Sequence, residues 1–101
     1  MDPNMMIVKT LSETDCSHDN KLILPRDKVE NIVRSTGVPV PRMGIQVEIL
    51  DNTNSYWVNL RQSQRGYFIG RGWGELRDAR NLKAGDVIKL YWQNTKFIFS
   101  M

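Results

Sequence analysis

Two kinds of hydrophobic spacing divide this chain, and most of it has a period of two. From Gly44 onward Ile45, Val47 and Ile49 share one face while Gln46 and Glu48 take the other. After the turn residues Asp51, Asn52, Thr53 and Asn54, the returning strand sets Tyr56, Val58 and Leu60 against Trp57, Asn59 and Arg61, which predicts a hairpin. Met6, Ile7, Val8 and Leu11 predict an earlier strand, Lys21 to Leu24 a short one stopped by Pro25, and Gly66 to Ile69 another. Val87, Ile88, Leu90, Tyr91 and Trp92 make the next, and Phe97 to Phe99 the last. Helical spacing occurs twice. Val29, Ile32 and Val33 fall at i, i+3 and i+4, and Trp73, Leu76 and Arg77 predict one or two turns with Trp73 inward. Val38, Pro39, Val40 and Pro41 cannot continue the first helix, because proline lacks a donor and restricts its predecessor. Seven short strands, two short helices and no repeat predict a closed or nearly closed antiparallel barrel, since closure is how small sheets hide their edges.

At 101 residues, 41% hydrophobic and 25% charged, the chain reads as one domain over residues 1–101, with a single modest core from about residue 6 to residue 100. Its apolar runs, such as Leu22 to Leu24 and Tyr67 to Ile69, are far short of a membrane span, and the first residues lack a signal-peptide pattern. An intracellular protein is expected. Cys16 is the lone cysteine and no Asn-x-Ser/Thr site occurs, which agrees with a reducing compartment.

Charge changes the picture more than composition does. The chain carries 14 Lys+Arg against 11 Asp+Glu, a formal +3. Residues 61–80 hold Arg61, Arg65, Arg71, Arg77 and Arg80 against Glu75 and Asp78, a surplus equal to that of the whole chain. All five cations are arginines, whose planar fork can bind phosphate or a base edge bidentately. Arg77 and Arg80 beside Asp78 read as a solvated helix face. Arg61 and Arg65 flank Gln62, Ser63 and Gln64 at an apparent hairpin tip and read instead as binding residues.

The remaining candidates for chemistry fall away one by one. Gly70, Gly72 and Gly74 lack the Lys-Ser/Thr of a nucleotide loop and the βαβ unit around it, so tight turning at Trp73 explains them better. Cys16 and His18 cannot supply the four ligands of a structural zinc, and an i, i+2 pair in a loop does not make an activated nucleophile. No cofactor, metal, small-molecule substrate or catalytic apparatus is expected. Trp57, Trp73 and Trp92, with Tyr67, Tyr91, Phe97 and Phe99, could stack on bases, but most hold apolar-phase strand positions and are assigned to the core. Two polar loops are left, Ser12 to Lys21 and Arg61 to Arg65. Their hydroxyl, amide, His and Arg side chains suit phosphates and base edges, and they suit solvated turns equally.

The order of motifs resembles that of the plant B3 DNA-binding domain. Lys9-Thr10-Leu11 leads to Thr14-Asp15 and then to Leu22 through Arg26, followed by Trp57, Gly66-Tyr67, Gly72-Trp73 and the run Leu82 to Ile88, so the likeness covers about Ile7 to Phe99. The resemblance implies a mainly β fold, a seven-stranded open antiparallel pseudobarrel with two short α-helices, that binds double-stranded DNA. It also implies a non-enzymatic, nuclear role in transcription regulation, beside other transcription factors. The two loops become arms gripping the major groove. Lys9 stands at the base of the first arm, whose candidates are Ser12, Thr14, Ser17, His18, Asn20 and Lys21; Arg61, Gln62, Ser63, Gln64 and Arg65 form the second. Glu13, Asp15 and Asp19 make the first arm acidic; Asp15 fits the family's own Asp position, but Glu13 and Asp19 depart from the pattern and would repel phosphate, and the second arm is short. The acidic first arm and the small net charge are consistent with an alternative role as a protein-interaction module on the same barrel.

Overall fold

The computed structural model describes residues 2–17, 20–37 and 39–101. A 3-10 turn at Pro3–Met5 leads into β1 (Met6–Thr10), and a loop then runs to β2 (Leu22–Leu24). Pro25, extended at φ −64° and ψ 126°, delivers the chain into α1 (Arg26–Thr36), which ends at Gly37. β3 (Ile45–Asp51), β4 (Asn54–Ser63), β5 (Gly66–Ile69), α2 (Trp73–Ala79), β6 (Val87–Gln93) and β7 (Lys96–Ser100) follow.

The seven strands form one sheet in the order β1-β6-β7-β3-β4-β5-β2, so β1 and β2 are its two ends and the barrel is open between them. All pairs but one are antiparallel. β3 and β7 run parallel, matching Glu48 with Lys96, Ile49 with Phe97 and Leu50 with Ile98. The sheet is therefore mixed where an antiparallel one was expected. The β6–β7 hairpin fixes the direction of β7, and β4 already occupies the other edge of β3.

The alternation read from the sequence fills the interior. Ile7, Leu22, Val29, Ile49, Val58, Ile69, Trp73, Leu76, Ile88, Leu90 and Phe97 are essentially removed from water, and Val29 and Ile32 bring α1 onto the same core. Trp57 departs from this. It shares the outer face of β4 with Asn59 and Arg61 and is 60% exposed. Strand phase overrides the general tendency of tryptophan to be buried. Arg80, expected on a solvated face, is exposed there and also donates through Nε and Nη2 to the buried Asp51 carboxylate at 2.6 and 2.5 Å. This ties the end of α2 to the β3–β4 turn.

Candidate nucleic-acid interface

The first loop folds on itself before it meets anything else. The Ser12 amide donates to Asp15 Oδ2 at 2.9 Å and the Asp15 amide donates to Ser12 Oγ at 3.2 Å, a reciprocal turn of the kind that caps helices. Asp15 is fully buried; its Oδ1 accepts from the Ile23 amide, and Lys9 Nζ lies 3.3 Å from Oδ2. A buried carboxylate needs such partners, and Lys9 balances its charge. Asp15 is thus a structural anchor, and Lys9 faces it rather than solvent. The acidity of the loop is correspondingly lower than its sequence suggests.

Helix α2 holds this loop in place. Trp73 Nε1 donates to the Asp15 carbonyl at 2.7 Å, and Arg77 Nη1 donates to the Ser17 carbonyl at 2.7 Å and to Asn20 Oδ1 at 2.9 Å. Arg77 is thus an internal fastener rather than a solvated charge, whereas Arg80 fastens Asp51 while staying exposed. The start of α2 also lies close against β4, which requires Gly72: at φ 96° an added Cβ would lie 2.3 Å from the Trp57 carbonyl oxygen. The Ser17 hydroxyl donates to the Thr14 carbonyl, while Ser12, Thr14 and Lys21 lie at the surface. His18 lies outside the described residues. Burial and the neighbouring Asp15 carboxylate push the Cys16 thiol up, the reverse of what a nucleophilic thiolate needs.

The second arm is shorter than the Arg61–Arg65 loop read from the sequence. β4 continues through Ser63, because Arg61, Gln62 and Ser63 pair with Phe68, Tyr67 and Gly66, leaving Gln64 and Arg65 as the turn. Strand alternation then sends Arg61 and Ser63 to the outer face and Gln62 to the other. Arg61 is braced by its Nε donating to the Arg42 carbonyl at 3.1 Å, and Arg65 is exposed at the tip.

A groove of about 430 Å³ connects the two arms. Asn20 and Lys21 line it from the first arm, Arg61 and Asn59 from β4, Gln46 from β3, and Phe68, Gly70 and Arg71 from β5 and the turn beyond it. Lys21 Nζ stands 5.0 Å and Arg61 Cζ 5.7 Å from the centre of the Phe68 ring, so one aromatic carries a cation from each arm. The lining offers three cations and three carboxamides and, among the described residues, no carboxylate. Such a set can hold phosphates and reach base edges. Of the residues singled out from sequence, Asn20, Lys21 and Arg61 meet here. Gln62, Ser63 and Gln64 line a separate pocket with Arg26 and Arg42. Sequence reasoning missed Gln46, Asn59, Phe68 and Arg71 as groove residues. The outward phase shared by Gln46, Asn59 and Arg61 was the available signal.

An open barrel whose two arms border a cationic, amide-lined groove defines a DNA-binding domain. The chain belongs to the B3 DNA binding domain family, whose model matches residues 7–101. It is 36% identical over 107 residues to a putative B3 domain-containing protein of Arabidopsis thaliana, covering 97% of this chain and 38% of that protein. A second B3 domain-containing protein of Arabidopsis thaliana is 33% identical over 106 residues, covering 97% of this chain and 93% of the relative. The chain thus spans little more than a third of the first relative and nearly all of the second. The fold is also that of the Arabidopsis FUS3 protein solved with DNA, at a TM-score of 0.66 and 18% identity, covering 91% of each chain. The LEC2 protein of Arabidopsis thaliana, likewise solved with DNA, gives a TM-score of 0.64 at 17% identity over 97% of this chain and 93% of that one.

Proposed function

We propose that this chain acts as one domain that binds duplex DNA sequence-specifically, inserting its two arms into the major groove, and that it regulates transcription in the nucleus without catalysis. The observation that carries this is the meeting of Lys21 and Arg61 over Phe68, which makes one groove of two arms distant in sequence. Cations there and Arg65 at the tip supply affinity through phosphates. Asn20, Gln46, Asn59 and the hydroxyls of Ser12 and Thr14 supply hydrogen bonds to base edges. The protein-interaction alternative drew on an acidic first arm, and the burial of Asp15 against Lys9 removes one of its acids.

Selection of bound sites from a random duplex pool tests the proposal. An enriched motif is expected, bound with a slope of log K against log salt of about −4 to −5 for four to six neutralised phosphates. A pool that returns no motif contradicts sequence-specific recognition.

A further inference from the structure

The second arm has a back as well as a front. Behind it, Arg26 at the start of α1 and Arg42 in the connector before β3 close a polar cavity of about 290 Å³ with Gln62, Ser63 and Gln64. Neither arginine lies in the basic stretch 61–80; the fold brings both to the hairpin. The stem of Arg26 packs on Gly66, where an added Cβ would stand 3.7 Å from Arg26 Cβ, and the Arg42 backbone is fixed by the bond from Arg61. Among the described residues Arg26 pairs with Glu30, 3.9 Å away with both side chains about half exposed, a contact too weak to hold the guanidinium back.

A two-stranded ribbon that enters the major groove meets a phosphate backbone on either side. Arg61 serves the front face of this hairpin. From the geometry we infer that Arg26 and Arg42, with the Gln62 and Gln64 amides, form a phosphodiester-binding site on its back, clamping the second backbone of the same DNA groove. The inference rests on the DNA-binding reading above and adds a second, sequence-independent contact to it. Two guanidiniums and two amide donors around one cavity match the oxygens of a single phosphodiester.

The test compares the full chain with the double variant Arg26→Gln, Arg42→Gln, and with Arg34→Gln as a control that removes one exposed α1 charge away from the pocket. Affinities for a selected duplex are measured across a salt series, and amide spectra verify that each variant is folded. The double variant is expected to bind about tenfold or more weakly and to lose about 0.9 from the magnitude of the salt slope, the share of one phosphate, with the selected motif unchanged. A slope matching that of the Arg34 variant overturns the site, as does a changed motif. Inorganic phosphate titrated at constant ionic strength separates a free anion from the DNA backbone. Saturation at the Gln62 and Gln64 side-chain amides, without a slope change in the double variant, assigns the pocket to a free anion and overturns the clamp. Wild-type protein that binds no duplex at all removes the DNA-binding reading itself, a result distinct from any of these.

Discussion

The two arms solve the same problem in opposite ways. The first, Ser12 to Lys21, is a ten-residue polar loop whose described residues are made firm by what lies beneath them: a buried carboxylate, a tryptophan N–H and an arginine from α2. Much of its polar chemistry is turned inward on its own backbone. The second is a two-residue turn on a paired hairpin, firm because the strands are paired, and its arginines stay at the surface. A loop without strand pairing must use side chains to hold its backbone, which leaves few of them for a ligand. The hairpin needs less from its side chains: Ser63 Oγ accepts from the Arg65 amide and donates to the Gly66 carbonyl across the turn, and strand pairing does the rest. The first arm therefore positions, and the second supplies charge.

Four substitutions or probes sharpen this contrast. Trp73→Ala removes the largest fully buried side chain together with the bond to Asp15, and should destabilise the fold by about 3–5 kcal/mol in denaturant titration. Asp15→Ala leaves Lys9 without its carboxylate and the Ser12 and Ile23 amides without an acceptor, with an expected cost of about 2–3 kcal/mol. Both should also disorder the first arm, seen as faster amide exchange at Cys16 and Ser17. Arg65→Ala is expected to leave stability within about 0.5 kcal/mol of wild type, yet to reduce the magnitude of the salt slope for duplex binding by about 0.9. A stability loss comparable to that of Asp15→Ala would break the distinction between the arms. The smallest effect is chemical: with its thiol pushed up by burial and by Asp15, Cys16 should be alkylated at pH 7 more slowly than a free cysteine. Alkylation at the rate of a free thiol would mean that the first arm is open.

Most of the barrel was legible because it is written in local periods. The β3–β4 hairpin, the Pro25 entry to α1 and the inward Trp73 all follow from neighbouring residues. The parallel β3–β7 pair was not legible, since nothing within either strand states which distant edge it will meet. The same limit governs the charges. Arg77 does pair with its sequence neighbour Asp78, at 3.0 Å, but its bonds to Ser17 and Asn20 and that of Arg80 to Asp51 come from residues distant in sequence. Conversely, Arg26 and Arg42 look like ordinary surface residues until the fold sets them against Gln62. The groove itself depends on register: only the pairing of Gln46 with Asn59 and of Arg61 with Phe68 assembles it. Trp57 shows where residue type misleads, because its strand phase pointed outward all along.

The central claim is that both arms face one DNA groove across Phe68. A duplex titration followed by the amide resonances of Asn20, Lys21 and Arg61 and by the Phe68 ring protons tests it most directly. All four should shift together with a single apparent affinity that weakens as salt rises. Shifts confined to one arm, with the Phe68 ring unmoved at saturation, would contradict it.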